Sequence, residues 1–488
     1  MYLEKLDVPL ALTFDDVLLE PAESHVEPNE VDVRSRLSRN VPLNVPLVSA
    51  AMDTVTESPM AIAIARYGGI GVIHRNMPQE KEIQEVNAVK RAEDLIERSV
   101  LSVGVDATVA EVERLMNQHG ISGVPVLDNG RIIGIVSRRD IRAIVGRRRD
   151  ENIRRVMTMN PITADEQITM DQALEIMYTN KIERLPVVDS DNRLIGIITM
   201  QDILERRQYP LANRDGKGRL RVAAAVGPFD FERAVRLDEA GADVLVVDCA
   251  HGHNMKVVRA VKDIKQSVRA DLVAGNIATA RAAEALIEDV DGLKVGIGPG
   301  SICTTRIVAG VGVPQITAVA NVAEVTRDHD IPVIADGGVR YSGDVAKAIA
   351  AGADSVMAGS LFAGTDESPG RMMVIRGRMY KQYRGMGSLG VMSGGESTDR
   401  YFQKRDIGRT KFVPEGVEGA IPYVGRVSEV LYQLIGGLKS AMGYTGCRNI
   451  RELHERARFI RITPAGMQES HPHNILITDE APNYRFLD

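Results

Sequence analysis

The stretch "PVIADGGVRYSGDVAKAIAAGADSVMAGS", Pro332 to Ser360, contains one complete strand–helix–strand unit. Pro332–Gly338 and Ser355–Ser360 are short, almost continuously apolar runs, which is typical of parallel strands buried on both faces. Between them, Ser342–Gly352 has a helical pattern and ends in glycine, a residue that suits the C-terminal cap of a helix. The stretch therefore predicts two parallel strands joined by a helix.

Six further runs of the same kind precede this unit. They are Pro46–Met52, Ile70–His74, Val222–Gly227, Asp243–Cys249, Asp271–Asn276 and Gly292–Gly298. With the two runs above they make eight strand–helix units, which is the number in a closed (β/α)8 barrel. An open doubly wound sheet normally has fewer strands in one domain. We therefore predict an α/β fold in the form of a (β/α)8 TIM barrel.

An internal repeat interrupts this series after the second predicted strand. Gly123–Ile141 is similar to Arg184–Ile203, and Ala107–Met116 is similar to Ile168–Met177. Two copies are too few for a solenoid. We predict a compact pair of modules at residues 93–207, inserted in a barrel loop, so that the barrel is built from residues 1–92 and 208–488.

The composition limits the environment and the partners of the chain. The chain has 488 residues and a formal net charge of −6, with acidic and basic residues interspersed, which does not indicate binding to nucleic acids or membranes. Its three widely spaced cysteines do not form a disulfide framework, which favours a reducing compartment. No signal peptide or membrane-spanning apolar run is visible. We expect a soluble cytoplasmic protein.

The glycine-rich stretch "GIGPGSICTTR", Gly296–Arg306, presents one of the three cysteines. Because Cys303 follows the sixth predicted strand, it belongs at the C-terminal ends of the barrel strands, where the reactive groups of such barrels lie. Glycines let the backbone approach a ligand closely, and amides and carbonyls around a glycine turn can line an ion-binding concavity. Cys303 is therefore a candidate nucleophile, whereas Cys447 has no strand before it.

The turns after the seventh and eighth predicted strands, Asp336–Gly338 and Ala358–Ser360, are rich in small residues. In barrels of this kind these positions commonly bind phosphate, through backbone amides and helix N-termini. Asp336 would then lie near a sugar hydroxyl. Each turn taken alone is equally compatible with a tight turn and a helix cap.

The stretch "VVDCAHGHN", Val246–Asn254, brings together Cys249, His251 and His253 in alternation. A zinc site is disfavoured because no second cluster of ligands is visible nearby. Asp248, at the end of the strand, is expected to accept hydrogen bonds from the hydroxyls of a second ligand. No G-x-G-x-x-G opens a helix, so any dinucleotide would bind outside a Rossmann domain.

A further segment, from about residue 380 to 419, is rich in glycine and lacks helix or strand periodicity. A loop of this length in a compact enzyme is usually a lid or disordered, and we predict a mobile lid. Within it, Arg400 and Tyr401 form an isolated polar–aromatic pair.

Together these motifs closely resemble the IMP (inosine 5′-monophosphate) dehydrogenase family, over essentially the whole chain. Besides the cysteine loop and "IADGG", the resemblance rests on Leu12–Leu19, Ser49–Glu57, Gly68–His74, Gly310–Gln315, Tyr383–Ser388, Asp399–Gln403, Val413–Gly419 and Gln468–His471. The inserted repeat resembles a tandem pair of CBS domains, also called a Bateman domain, which this family carries in the same barrel loop.

The resemblance implies a reaction with two chemical steps. Cys303 would attack C2 of IMP, and hydride would pass to NAD, leaving a covalent thioimidate. The reduced cofactor would leave, the lid would take its place, and water would release xanthosine 5′-monophosphate (XMP). Arg400 resembles the family's general base for that water, helped by Tyr401, and Thr305 and Glu415 resemble a secondary proton route. The high intrinsic pKa of arginine alone would not indicate this role.

The resemblance also implies the binding residues. Those for IMP are Ser301, Asp336, Gly337, Gly338, Gly359, Ser360, Tyr383, Arg384, Gly385, Met386, Gly387 and Glu415. NAD would contact Asp248, Gly296, Ile297 and Gly298. A potassium ion would bind carbonyls of Gly298, Gly300 and Cys303, together with Glu469, Ser470 and His471 of a neighbouring chain. The shared ion site implies a homotetramer, or an octamer assembled through the CBS pairs.

Within the repeat, Ser137–Asp140 and Thr199–Asp202 are similar to the ribose-binding positions of CBS domains that bind adenine or guanine nucleotides. A helix start of the capping-box type explains these residues equally well. The first copy opens with "SVLSVGVDATV", which departs from the commoner opening with threonine and proline.

Two other functions compete with IMP oxidation. GMP reductase shares the barrel, the cysteine loop and the phosphate turns, but it lacks the Arg-Tyr lid and usually the CBS insertion. A catalytically silent nucleotide sensor would act through the CBS pair alone. The presence of Cys303, Thr305, Arg400 and Tyr401 argues against such a sensor.

Overall fold

The computed structural model describes residues 3–6, 8–142, 149–394, 400, 412–479 and 481–484. The chain forms two compact units. One comprises Met1–Ala92 and Leu211–Asp488, and the other comprises Glu93–Pro210. Among the described residues, none of the helices combines the length and the apolar character that crossing a membrane requires.

The first unit contains a closed barrel of eight parallel strands. The strands are β1 (Leu47–Ser49), β2 (Ile70–Ile73), β3 (Ala223–Val226), β4 (Val244–Asp248), β5 (Asp271–Ile277), β6 (Gly292–Val295), β7 (Val333–Asp336) and β8 (Ser355–Ala358). Each strand pairs with the next along the chain, and β8 pairs with β1 to close the ring. The predicted α/β barrel is confirmed. Seven of its strands fall within the apolar runs, and β5 extends its run by one residue, Ile277.

The barrel interior is a packed apolar core. Alternate residues of the strands, such as Val244 and Val246 on β4 and Ala223 and Ala225 on β3, belong to one buried cluster. A hairpin of Ser35–Ser38 and Val41–Leu43 covers the N-terminal end of the barrel, and its Leu37, Val41 and Leu43 join the same cluster. Since this end is closed, the C-terminal end remains as the face that can receive a ligand.

Helices follow the strands around the barrel. They are Ser58–Arg66, Gln79–Arg91, Phe231–Glu239, Met255–Ser267, Ala280–Glu284, Thr305–Val308, Gln315–Thr326, Ser342–Ala350, Ser360–Ala363, Val427–Thr445, Ile450–Arg456 and Pro464–Glu469. The predicted glycine cap at the end of Ser342–Ala350 is present, because Gly352 has a φ of +111°. Short 3-10 turns lie at Leu3–Leu6, Phe14–Asp16, Ile287–Asp289 and Arg327–His329, and strand Val17–Leu19 pairs with Phe459–Arg461.

The second unit repeats one arrangement twice. In each copy a helix precedes an antiparallel strand pair and a second helix follows it. The first copy has Val109–His119, Gly123–Asp128, Arg131–Ser137 and Arg138–Arg142, and the second has Met170–Thr179, Arg184–Val188, Leu194–Thr199 and Met200–Arg207. Strands Val103–Gly104 and Thr158–Met159 complete the first sheet, and Ile153–Arg155 is a 3-10 turn. Each copy has its own buried apolar cluster.

The segment from about 380 to 419, predicted as a lid without strands or helices, contains both. Strand Arg378–Arg384 pairs with Met372–Ile375 on one side and with Glu418–Pro422 on the other, and Leu389–Gly394 is helical. Both ends of the segment are therefore tied into one three-stranded sheet. The expectation of a continuous loop was wrong. Glu418–Pro422 is mostly exposed, and one buried position of Arg378–Arg384 is a lysine, Lys381, so apolar and polar residues do not alternate in these strands. Residues 395–399 and 401–411, where the centre of the predicted lid falls, lie outside the described residues.

Candidate active site

An open cleft lies at the C-terminal ends of the barrel strands. Most of the residues expected at the site from the sequence line this cleft. They are Asp248, Gly296, Ile297, Gly298, Gly300, Cys303, Thr305, Asp336, Gly337, Gly359, Tyr383, Gly385, Met386, Gly387, Arg400 and Glu415. The structure thus brings together residues that are up to 167 positions apart in the sequence, from Asp248 to Glu415.

The loop after β6 presents Cys303 to the cleft. Its thiol is partly exposed, and the Cys303 amide donates to the carbonyl oxygen of Gly300 at 3.0 Å, which closes a tight turn. Gly296 has to be glycine, because a Cβ there would collide with the carbonyl oxygen of Asp336 on β7. The close approach of the two strand ends therefore sets the position of the loop and of its cysteine.

Cys303 heads a short chain of hydrogen-bonding groups. Its sulfur lies 3.3 Å from Oγ1 of Thr305, and the Thr305 hydroxyl donates to Oε2 of Glu415 at 2.7 Å. Backbone bonds hold the two segments together, because the amide of Thr304 donates to the Glu415 carbonyl oxygen and that of Val417 to the Ile302 carbonyl oxygen, both at 3.0 Å. A proton leaving the thiol thus has a connected route to a carboxylate.

The turn after β8 packs against Tyr383. A Cβ on Gly359 would lie 2.8 Å from the phenolic oxygen of Tyr383, so this position also requires glycine. Tyr383 is buried, and burial raises the pKa of its phenol, while a hydrogen bond with Ser301 opposes that shift. Three residues expected to hold phosphate therefore lie together at the end of β8. They are Ser301, Gly359 and Tyr383. Ser360 begins the short helix Ser360–Ala363 directly beside it.

Lining the floor of the cleft is a buried charged cluster that the sequence pattern did not indicate. The ammonium of Lys294, on β6, donates to Asp336 Oδ2 at 2.7 Å and to Asp248 Oδ1 at 3.0 Å. It also contacts Oδ1 of Asn276, whose amide nitrogen donates to Asp336 Oδ2 at 2.9 Å. The signal that could have found Lys294 is a charged residue inside the otherwise apolar run Gly292–Gly298.

Arg400 contacts the carboxylate oxygen of Asp248 that Lys294 does not bind. Its guanidinium forms an ion pair with Asp248 Oδ2, and its carbonyl oxygen accepts the amide of Ala250 at 3.0 Å. Both the side chain and the backbone of Arg400 are thus placed at the end of β4. Tyr401, the expected partner of Arg400, lies outside the described residues.

Arg384 contacts the protein rather than the cleft. Its guanidinium binds the carboxylate of Asp53 with distances of 2.5–3.2 Å, and its amide lies 3.3 Å from Oγ1 of Thr54. The hydrogen bond with Asp53 raises the pKa of the Arg384 guanidinium. This pair fastens the segment that carries Tyr383 and Gly385–Gly387 to the loop after β1, so that its backbone faces the cleft.

The expected ion ligands form two separate groups within one chain. Gly298, Gly300 and Cys303 lie in the cleft. Glu469 ends the helix Pro464–Glu469, and Ser470 and His471 follow it. There, Nδ1 of His471 lies 2.8 Å from the Tyr484 hydroxyl, and its ring packs on Tyr341.

Comparisons with known proteins agree with this geometry. A family model described as IMP dehydrogenase / GMP reductase domain matches residues 11–473. An inosine-5'-monophosphate dehydrogenase from Methanocaldococcus jannaschii is 58% identical, covering 99% of this chain and 99% of the relative. The enzyme of the same name from Halobacterium salinarum is 56% identical, covering 99% of this chain and 97% of the relative.

A solved structure is also similar over almost the full length. It is a crystal structure of a GMP reductase variant from Trypanosoma brucei in complex with guanosine 5'-monophosphate, with a TM-score of 0.85 and 41% identity. The similarity covers 97% of this chain and 100% of the reductase chain. A GMP reductase can therefore be as long as this chain, so the inserted unit does not by itself separate the two activities.

Proposed function

Because this chain belongs to the IMP dehydrogenase / GMP reductase family, we propose that it oxidises IMP to XMP with NAD, through a transient covalent bond between Cys303 and C2 of IMP. The observation that carries the proposal is the position of the thiol. Cys303 is accessible in the cleft, connects through Thr305 to Glu415, and shares the cleft with the Gly359–Tyr383 contact that suits a phosphate. Full-length identity of 58% to an IMP dehydrogenase favours this member of the family over the reductase.

The first step joins Cys303 to the base. The thiol proton passes by way of the Thr305 hydroxyl to Glu415, and the thiolate attacks C2 of the hypoxanthine ring. Bound NAD supplies the acceptor for the hydride that leaves C2. The carbon that gained a bond to sulfur and lost a hydride becomes a thioimidate, two electrons more oxidised than IMP.

The second step releases the product. A water molecule adds to C2 of the thioimidate, one of its protons is removed, and the C–S bond then breaks to return the Cys303 thiolate and XMP. Thr305 and Glu415 provide a proton route whose hydrogen bonds already exist. Arg400 and Tyr401 provide the other route in this proposal.

Asp248 is proposed to bind a different partner in each of the two steps. Its carboxylate is almost fully buried and is the group proposed to bind NAD beside Gly296–Gly298. In the structure the same carboxylate binds Arg400. Since one oxygen of Asp248 is occupied by Lys294, Arg400 and the cofactor compete for the other. Departure of the reduced cofactor thus allows Arg400 to complete the hydrolytic site.

A potassium ion fits the cysteine loop chemically. Carbonyl oxygens of Gly298, Gly300 and Cys303 are neutral hard donors that suit a monovalent cation, and residues 469–471 of a neighbouring chain would complete the set. The bound ion would order the loop that carries the nucleophile. This arrangement requires at least two chains, in accordance with a homotetramer.

The second unit is proposed to bind adenine or guanine nucleotides. In the structure Asp140 Oδ2 accepts from the amide and hydroxyl of Ser137, and Asp202 Oδ2 accepts from those of Thr199. These bonds are helix caps, and each uses one carboxylate oxygen. Binding of a ribose would therefore use the remaining oxygen of Asp140 or Asp202.

The decisive experiment is a mass measurement on the peptide that contains Cys303. We expect NADH to form when the protein is mixed with IMP and NAD, and quenched samples to carry a purine adduct on Cys303. Cys303→Ala should remove both signals, while Cys447→Ala, at a buried cysteine outside the cleft, should keep them. Consumption of NADPH with GMP, without NADH formation from IMP, would instead identify a GMP reductase.

A further inference from the structure

Lys294 is held in an unusual position for a lysine. Its side chain is 2% exposed, and its three contacts, with Asp248, Asn276 and Asp336, are all oxygen atoms. An ammonium group has three N–H donors and no acceptor, so these three oxygens use its complete donor capacity. Lys294 is therefore fixed in place, and it has no donor left for a ligand.

The cluster connects four consecutive strands of the barrel. Asp248 ends β4, Asn276 lies on β5, Lys294 on β6, and Asp336 ends β7. In the register of the sheet, Lys294 is paired with Gly275, which is itself paired with Asp248, and with Ile334, two residues before Asp336. One ammonium therefore reaches both carboxylates at the floor of the cleft, which Lys294 also lines.

Each carboxylate uses one oxygen for Lys294 and presents the other elsewhere. The second oxygen of Asp248 contacts Arg400. Asp336 lines the cleft, and its side chain is 18% exposed, which leaves part of the carboxylate for a ligand. The orientation of both carboxylates thus depends on the same buried cation.

Removal of that cation would have a specific electrostatic consequence. Asp248 would keep its ion pair with Arg400, whereas Asp336 would lose the cation that contacts it, so the Asp336 carboxylate would bind a proton at higher pH than usual. The same change would release both side chains from their orientation. A displacement of about 1 Å in a substrate-positioning group costs about 10²-fold in rate.

We propose that Lys294 is a positioning residue that couples the two halves of the site, by aiming Asp336 at the ribose of IMP and Asp248 at the place that NAD and Arg400 occupy in turn. This inference rests on the proposed function, and it adds a residue whose three donors are all taken by protein oxygens and which acts through Asp248 and Asp336. Lys294 would thus affect both the binding of IMP and the replacement of NAD by Arg400 at Asp248.

The test uses Lys294→Met in the full-length protein. We expect the Kd for IMP, measured by calorimetry without NAD, to rise about tenfold or more, and kcat to fall about 10²-fold. The loss of thermal stability should be smaller at about pH 6 than at about pH 8, because a proton then replaces the missing cation on one carboxylate.

Lys90 provides a matched control at the other end of the barrel. It is also buried and bridges two carboxylates, with its ammonium 2.6 Å from Asp243 and 3.2 Å from Asp215. Asp243 precedes β4 and so lies at the N-terminal end of the barrel, opposite the cleft. Lys90→Met should lower the unfolding temperature and leave the Kd for IMP and kcat within about twofold. If Lys294→Met behaves in the same way, the proposal is overturned.

Two further outcomes are separable. If Lys294→Met does not fold, Lys294→Arg keeps the charge but cannot converge three donors on three oxygens; unchanged Kd and kcat in that variant would overturn the proposal. If the wild-type protein forms no NADH from IMP, the proposed function fails, and the two methionine variants are then compared by their affinity for IMP alone. Equal affinities there would again reject the role of Lys294.

Discussion

The hydroxyl of Thr305 donates to the carboxylate of Glu415 at 2.7 Å, across 110 positions of the sequence. Thr305 follows the candidate nucleophile by two residues, and Glu415 lies near the C-terminal end of the predicted lid segment. Their contact joins two separate motifs into one hydrogen-bonded chain that starts at Cys303, and this chain is the proposed proton route.

Glu415→Gln should slow turnover while preserving the fold. The amide is isosteric with the carboxylate, so Thr305 keeps a hydrogen-bond partner that cannot take a proton. General acid–base groups contribute about 10²–10⁴-fold, and because Arg400 offers a second route we expect a loss near the lower limit. Rapid-quench measurement of the covalent adduct checks this. An unchanged rate of both adduct formation and hydrolysis would exclude the Thr305–Glu415 route.

Arg400→Ala should slow hydrolysis much more than hydride transfer. The Arg400 guanidinium binds Asp248, and in the proposed cycle it acts there only after the reduced cofactor has left. In stopped-flow traces we expect a burst of NADH close to wild type, followed by a steady state reduced by at least about 10²-fold, with the adduct accumulating on Cys303. Equal slowing of both phases would contradict a role confined to hydrolysis.

Asp53→Asn and Arg384→Ala should weaken IMP binding with little effect on chemistry. The pair fastens the Tyr383–Gly387 segment to the loop after β1, so its loss lets the phosphate and base contacts drift. We expect the KM for IMP to rise about tenfold and kcat to change less than about threefold. The double variant should show a coupling energy of about 0.5–3 kcal/mol, and strict additivity would indicate that the contact does not matter.

Glu82 should make the stability of the barrel unit pH-dependent. Burial raises the pKa of Glu82 to about 8, although Arg233 lies 2.6 Å away and opposes the shift. The folded state thus holds a proton that the unfolded chain loses near the ordinary pKa of glutamate. Stability from this group is therefore greatest below that value and decreases as the pH rises to about 8.

Glu82→Gln tests this sign. The amide oxygen can still accept from Arg233, but no proton is exchanged, so the free energy of unfolding should lose a slope worth about 1–3 kcal/mol between about pH 5 and 8. Urea titrations at several pH values measure it. An identical slope in the variant would mean that Glu82 is ionised in the folded protein.

Removal of residues 93–210 should leave an active barrel. The two chain ends created by the deletion are anchored close to each other, because Lys90 near one end binds Asp215 near the other at 3.2 Å. A short glycine–serine linker can therefore join Ala92 to Leu211. We expect kcat within about threefold of the full-length value and no response to added ATP or GTP. A folded but inactive truncation would show that the second unit is needed for catalysis.

Much of the fold could be predicted because it depends on local patterns. Each barrel strand is an apolar run bounded by small residues, and Gly352 adopts the positive φ that its position after a helix indicates. The strands at the two ends of residues 380–419 escaped prediction. Most of the residues of Glu418–Pro422 are exposed, so no alternation of apolar and polar residues marks them.

The candidate site divides in the same way. Cys303 was found because a lone cysteine in a glycine turn directly follows a strand, and Asp336 because it ends one. Lys294 was missed, since in a sequence it is one charged residue in an apolar run and its three partners lie 18 to 46 positions away. Arg384 was expected at the substrate, but its guanidinium is directed to Asp53.

The order of the amino acids alone determined that this chain closes a ring of eight strands, where the ring is interrupted and which sulfur faces its open end, because hydrophobic periodicity and glycine placement are read within a few neighbouring residues. Only the tertiary structure decided which polar side chains meet. Lys294 binds both Asp248 and Asp336, and Thr305 connects Cys303 to Glu415. Arg384 binds Asp53. These pairings arise when strand ends and returning loops converge in space. Coulomb and hydrogen-bond energies depend on those distances, which the spacing of residues along a chain does not contain.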